Sequence, residues 1–374
     1  MNIFLGNPPE NIKQWIIEHY TPPTPPASGP LCFTAEQDGS SVSLVYQNNY
    51  GPITDPTPPN LQYSLNDTEH WTEYEINQII PLAKDAKVFF KANGQNKRIS
   101  APPTMGPPLI YRFEMKGKIA ASGNIQYLLD DTGSRTDVPS NCYSTMFSGC
   151  SNLTQAPALP ATTLAINCYN GMFSGCSKLT QAPALPATTL ADSCYSSMFS
   201  GCSKLTAAPV LLATTLADSC YFYMLEDCSS LTQAPALPAT TLASSCYKYM
   251  FKSCTSLTQA PALPATTIAD YCYDSMFYGC TSLTQAPTIK TYTPNLYAFG
   301  YMLCMFVYNT NEWGQLTTCT WNDLTLVEVE SMVLSENIFG LDNPGASVRI
   351  SITCKDGSGT AYYDSGKYSW VFEH

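Results

Sequence analysis

A chain of 374 residues has room for two or three domains and a sizeable core. Only 13% of the residues are charged and the formal net charge is -11, which excludes nucleic acid as a partner, because phosphate binding needs clustered Lys and Arg. No stretch is apolar for long enough to span a membrane, and the start, MNIFLGNPPENIKQW, lacks the basic region and apolar run of a secretory signal. A chain made in a cytoplasm is expected, with no membrane insertion and no export by the general pathway.

Residues 1–29 read as an anchor. Asn7 can cap a helix with Pro8 at its first position and Glu10 in its first turn. Ile12, Trp15, Ile16 and Tyr20 follow as one apolar stripe at helical spacing. TPPTPPASGP then stops the helix and makes a stiff, extended linker. So short a helix is marginal alone in water. It either packs back on the next domain or docks on another protein, and the spacer that holds it off the body favours docking.

Residues 30–117 read as a small all-β, Ig-like sandwich. LCFTAEQ, SVSLVYQ, NLQYSL, KVFFKAN and YRFEMKGKI are short, β-branched or aromatic runs separated by turn-rich stretches. No clustered acid, His or Cys site lies in them, which suits a spacer or adhesive module. Residues 118–141 are expected to cap the array that follows.

From 142 to 297 the chain repeats every 26 residues, six times. One set of cysteines stands at Cys142, Cys168, Cys194, Cys220, Cys246 and Cys272, and a second at Cys150, Cys176, Cys202, Cys228, Cys254 and Cys280. Within a unit, Cys194, Met198, Phe199 and Cys202 share one face at the helical period, and Gly201 suits a helix end. LTQAPAL then reads as an extended arm, irregular because proline cannot donate a ladder bond. Each unit is therefore expected to be one short helix with one or two arms, and stacking buries what no unit can bury alone. Residues 298–374 abandon the repeat. SVRISITC and KYSWVFEH read as strands with KDGSG as a turn between them, a β cap closing the array.

Distance decides what the twelve cysteines of the array are for. Residues eight apart on a helix lie roughly 12 Å apart, and packed helices lie about 8–10 Å apart, whereas a disulfide needs Cα atoms within about 7 Å. Structural zinc favours close cysteine pairs in sets of four, which this spacing does not offer. Free cysteine packs as a small hydrophobe, so core thiols are expected, with no metal and no cofactor.

At this point the array resembles the BspA-like leucine-rich repeats. That family's unit runs A-F-x-G-C-x-x-L after a short extended run. MFSGCSKLTAAPVL places Met198, Phe199, Gly201, Cys202 and Leu205 in those positions. The units here are a few residues longer, Ala replaces the family's Ile on the strand, and Cys194 stands where the family has an aliphatic on the helix side. The stretch from NLQYSLNDTEHWTEY to YRFEMKGKIAASGNI also resembles the module placed before such repeats in proteins of gut bacteria and their tailed phages. The resemblance implies a right-curving solenoid and an adhesive protein: a fibre or a capsid or tail decoration on a phage particle, or a bacterial cell-surface adhesin. With no secretory signal read at the start, the virion is the expected location, other virion proteins the partners of the N-terminal segment, and a glycan or protein of the host surface the partner of the repeats. Such appendages are often trimeric, which leaves a homotrimer open, although no coiled-coil heptads support it.

An enzyme reading fails on inventory. Glu226 next to Asp227 is the only tight carboxylate pair of the array, and neighbours on a helix do not face each other. No nucleophile–base set or phosphate loop stands out, so no catalytic residue is assigned. A binding reading has a positive signal. The core positions of the units barely change, whereas a few other columns gain aromatics and charge in the last three units: Phe222, Tyr223, Lys248, Tyr249, Tyr271 and Tyr278. Exposed aromatics with charges are the material of recognition sites. The other candidate surface is the strand side, where Thr180, Gln181, Thr232, Gln233, Thr258 and Gln259 form polar rows. Strands repeat at about 4.8 Å and helices at about 8–10 Å, so that side is expected to be concave, and concave repeat faces commonly bind. The overall expectation is a mixed β and α fold: an N-terminal helix with a Pro-rich linker, a sandwich, a six-unit solenoid and a β cap.

Overall fold

The computed structural model describes residues 29–47, 58–100, 110–294, 297–307, 312–314, 316–340, 348–364, 367 and 369–373. The expected anchor helix with Ile12, Trp15, Ile16 and Tyr20 lies outside them. Alternating apolar residues build the first body. In KVFFKA, Val88, Phe90 and Ala92 turn inward while the residues between them are exposed or half-buried. Leu31–Ala35 (β1) lies between Lys87–Ala92 (β6) and Ile119–Ser122 (β8), antiparallel to both. Leu61–Leu65 (β3) and Thr72–Glu73 (β4) extend this sheet beyond β6. Ser40–Gln47 (β2) pairs with Ile80–Leu82 (β5) and Ile110–Lys116 (β7) in a second sheet. The two sheets meet through aromatic edges: Phe113 of β7 stands 4.8 Å from Phe33 and 5.5 Å from Phe90, ring centre to ring centre.

This body runs into the repeats without a break. Strand β8 also pairs in parallel with Leu153–Gln155 (β10) of the first unit. Phe113 stacks on Phe147 at 5.4 Å, its N–H donates to the Met146 carbonyl, and its own carbonyl accepts from the Cys150 thiol. Gly123, just after β8, has φ +74, and a Cβ there would meet the Pro30 carbonyl oxygen at 2.0 Å. Gly123→Ala therefore combines left-handed strain with a backbone collision. A loss of about 3 kcal/mol or more is expected, read as a fall in thermal midpoint, and an unchanged midpoint would contradict this account of the junction.

The helix expected in each unit is not formed. In Ser193–Cys202 the N–H groups of Cys194, Ser196, Met198, Ser200 and Cys202 donate to the carbonyl three residues back, not four. Those of Ser193, Tyr195, Ser197, Phe199 and Gly201 donate instead to Asp218, Cys220, Phe222, Met224 and Glu226 of the next unit. Backbone φ is positive at Ser193, Ser197 and Gly201, the third residue of alternate turns, where a type II turn requires it. Each unit is thus a row of overlapping turns that gives every second N–H to its neighbour. A left-handed residue at every fourth position forbids a continuous helix, yet it reproduces the helical spacing of the apolar residues.

The arms are not strands of a continuous ladder either. Apart from β10, Asp137–Val138 (β9) and Thr163–Leu164 (β11), they meet through single bridges, Gln181 to Ala207, Gln233 to Gln259 and Thr241 to Thr267 among them. Prolines within the arms remove the donors that would extend these bridges. The expected mixed β and α fold with a helix-and-strand solenoid of the leucine-rich-repeat kind is therefore corrected: the described residues hold strands in several small sheets, and one α-helix. The curvature argument falls with it. Turn sides of neighbouring units are joined directly by hydrogen bonds of 2.7–3.2 Å, so no wider helical spacing opposes the arms.

Side chains stack in register through the units. Tyr143, Tyr169, Tyr195, Tyr221, Tyr247 and Tyr273 form one column with centroids 5.7–6.0 Å apart. Phe147, Phe173 and Phe199 form another, interrupted by Leu225 and resumed by Phe251 and Phe277. All sixteen cysteines are buried, and none forms a disulfide. Those of the second array column do more than fill space: Cys176, Cys202, Cys228, Cys254 and Cys280 donate their thiols to carbonyls of the preceding unit at 3.0–3.3 Å. Burial pushes the thiols of Cys194 and Cys202 up to about 12, and those of Cys168, Cys176 and Cys220 well above the ordinary value.

The turn row also outlasts the cysteines. Tyr273, Ser275, Phe277 and Gly279 donate to Ala298, Gly300, Met302 and Cys304, so Tyr297–Cys304 forms one more row beyond the sixth unit. Tyr301 and Leu303 in turn donate to Asn337 and Ile338. Phe306–Val307 (β12) pairs with Glu312–Trp313 (β13). The chain closes with a four-stranded sheet of Thr318–Trp321 (β14), Arg349–Cys354 (β15), Gly357–Asp364 (β16) and Ser369–Glu373 (β17). Leu326–Leu334 (α1) lies against β16 and β17. Its start is a capping box, in which Thr325 and Glu328 satisfy each other's backbone N–H.

Candidate ligand-binding groove

The backbone of the turn rows decides which side chains face outward. The left-handed column runs through Thr145, Gly171, Ser197, Tyr223, Tyr249, Ser275 and Tyr301, with φ between 53 and 60 at each. Glycine suits this conformation and small polar residues tolerate it, but a tyrosine there is an outlier costing about 1 kcal/mol or more. The chain nonetheless places tyrosine at Tyr223, Tyr249 and Tyr301, and also at Tyr271 and Tyr297 of the preceding left-handed column. Strain of this kind gathers where a side chain serves recognition.

The rings meet as the columns stack. Tyr223 and Tyr249 lie face to face at 4.5 Å with planes 4° apart, and Phe222 packs edge-on against Tyr223 at 4.4 Å. Tyr271, 40% exposed, stacks on Tyr297 at 5.9 Å. The Lys248 ammonium lies 4.9 Å from the Tyr271 ring centre and 5.3 Å from that of Tyr249. That of Lys252 lies 5.5 Å from both Tyr223 and Tyr249. Carboxylates of neighbouring units pair with these cations: Lys252 with Glu226 at 2.9 Å and Lys248 with Asp274 at 3.5 Å.

These groups surround an open groove of about 420 Å³ lined by Tyr223, Lys248, Tyr249, Lys252, Asp274, Ser275, Tyr278 and Tyr301. Burial raises the Asp274 carboxyl above its usual range, against the opposing pull of Lys248 and of the Ser275 hydroxyl, which donates to it at 2.9 Å. Burial also works to lower the Lys252 ammonium, but Glu226 outweighs it and holds Lys252 firmly charged. The groove therefore offers ring faces, ammonium donors and a carboxylate acceptor on a neutral balance of two cations against two anions.

Of the residues the sequence singled out, Tyr223, Lys248, Tyr249 and Tyr278 line the groove, while Phe222 and Tyr271 buttress its rim. Tyr297 and Tyr301 were missed because the cysteine pattern ends before them. Their signal is spacing: each stands 26 residues after Tyr271 and Ser275. Thr180, Gln181, Thr232, Gln233, Thr258 and Gln259 are exposed on the arm face. There they form an orderly row, with Gln233 bridged to Gln259 and the Thr258 hydroxyl donating to the Thr232 carbonyl. No group of three or more His, Cys, Asp or Glu among the described residues could hold a metal ion, and no described helix is long and apolar enough to cross a membrane. Comparison with protein-family models, with curated proteins and with solved structures finds no match.

Proposed function

We propose that this protein is a non-enzymatic adhesion protein, displayed on a phage particle as a fibre or as a decoration of capsid or tail, and that the groove on its last units engages glycan or protein of a host surface. The observation that carries the reading is the aromatic groove itself. Five tyrosines occupy a backbone conformation that disfavours them; none of the five belongs to the buried core, and lysine ammonium groups lie against the rings of Tyr223, Tyr249 and Tyr271. Stacking rings and paired charges are what a polar, ring-bearing ligand needs. The particle context rests on the resemblance of the units to BspA-like repeats. Its test is direct: mass spectrometry of purified phage particles should detect the chain, and detection on bacterial envelopes alone would favour the cell-surface adhesin instead.

Tyr223→Ala with Tyr249→Ala should weaken attachment to the host surface about tenfold or more. The melting curve should be unchanged, because relief of the left-handed strain offsets the removal of ring stacking. Unchanged attachment would remove the groove from the account.

A further inference from the structure

The backbone ladder of the turn rows ends on a side chain. In each unit the N–H of the tyrosine after the first cysteine donates to a carbonyl of the next row: Tyr195 to Cys220, Tyr221 to Cys246, Tyr247 to Cys272 and Tyr273 to Ala298. Phe299 holds this place in the last row, and its N–H donates at 2.8 Å to Oε2 of Glu336. Tyr301 and Leu303 beside it still meet carbonyls, those of Asn337 and Ile338. One carboxyl group therefore replaces a backbone carbonyl where the cap meets the array. Glu336 follows α1 and is 4% exposed, and its Oε1 has no hydrogen-bond partner among the described residues.

A backbone carbonyl keeps its charge at every pH, but a carboxyl does not. Burial raises the Glu336 carboxyl and the charge of Asp274 adds to the rise, while the Phe299 N–H and the Tyr292 hydroxyl oppose it. Asp274 approaches from the sixth unit across Gly300, where a Cβ would meet its Oδ2 at 3.1 Å and the Glu336 carbonyl oxygen at 3.6 Å. Lys248 pairs with Asp274 at 3.5 Å. The Cys272 thiol is close enough to feel the Glu336 charge. Tyr292 bonds to Ser331 of α1 at 2.7 Å, and Glu328 of the same helix acts on it. We propose that Glu336 positions the far wall of the groove: as a neutral acid it docks the cap on residues 297–304, the row that carries Tyr301, and as an anion it loosens that row. This role lies in the backbone of the junction and does not depend on what the groove binds.

Because the carboxyl is raised in the folded chain, its stabilising effect is complete below the ordinary glutamate value of about 4.3 and is lost as pH rises through the folded value. Hydrogen exchange of the full chain, corrected for the intrinsic rate at each pH, reads the junction amide by amide. Between about pH 5 and about pH 7.5 the amides of residues 297–304 should lose protection several-fold. Those of residues 193–202, where no carboxyl replaces a carbonyl, should keep theirs. Glu336→Gln retains an acceptor for Phe299 and cannot take a charge, so its row should be as protected at both values as the unsubstituted row is at the lower one. Asp274→Asn should keep a loss with rising pH, because burial is the first cause of the Glu336 shift. Equal protection of the unsubstituted row at both values, a persisting loss in Glu336→Gln, or low protection of that variant at both values would overturn the assignment. So would Asp274→Asn abolishing the loss, which would make Asp274 the titrating group.

Discussion

Raising the pH from 9 to 10 is expected to unfold the repeat array. Burial raises all twelve of its cysteine thiols, those of Cys142, Cys194 and Cys280 up to about 12 and that of Cys254 well above its ordinary value. In the unfolded chain a thiol titrates near 8.5. Between these values the native protein holds protons that the unfolded chain has released, so stability is complete below the unfolded value and falls as pH rises above it. Each thiol contributes about 1 kcal/mol of that loss between pH 9 and 10. Twelve together reach on the order of 10 kcal/mol, comparable with the whole stability of a typical domain. The six buried tyrosines from Tyr143 to Tyr273 shift the same way, also through burial, and steepen the loss further above pH 10. Circular dichroism and ring stacking signals should collapse together over this interval. A chain that keeps both at pH 10.5 would contradict the buried-thiol core.

Phe199→Ala should cost about 3–5 kcal/mol, because Phe199 is fully buried between Phe173, 5.7 Å away, and Leu225. Phe199→Leu should cost under about 1.5 kcal/mol. The chain itself uses leucine in this column at Leu225, also fully buried. Stacked repeats contact only their neighbours, so the alanine variant should also divide the denaturant transition, with the units on either side unfolding separately. A single transition at the original midpoint would show that the column carries little of the stability.

The register of the repeats, the membership of the core columns and the divergence of the outer columns were all legible in the sequence, because each unit can be compared with five others. The backbone between those positions was not. Apolar residues at Cys194, Met198, Phe199 and Cys202 satisfy a helix, but a row of overlapping turns with a left-handed residue every fourth position presents the same face. The discriminating signal was present in part: Asn141, Gly149, Asn167, Gly171 and Gly175 fall at that four-residue spacing and are the residue types that accept positive φ. Later units hide it, since Tyr223, Tyr249 and Tyr271 occupy the same conformation. The groove was half legible. Its tyrosines and lysines stand out by column, but Tyr301, its far wall, belongs to a row in which Ala298 stands where the first cysteine of each unit stood. At the other end, β8 belongs to the first sheet and to the stack at once, a sharing that strand patterns cannot reveal.

The central claim is that adhesion runs through the aromatic groove rather than through the polar rows of the arms. One assay compares them on the intact protein: attachment to the host surface of Tyr223→Ala with Tyr249→Ala beside Gln233→Ala with Gln259→Ala. The tyrosine pair should lose about tenfold or more, and the glutamine pair, whose side chains are exposed on the arm face, should attach as the unsubstituted protein does. Loss of attachment in the glutamine pair, with the tyrosine pair unaffected, would place the binding surface on the arms and contradict the groove.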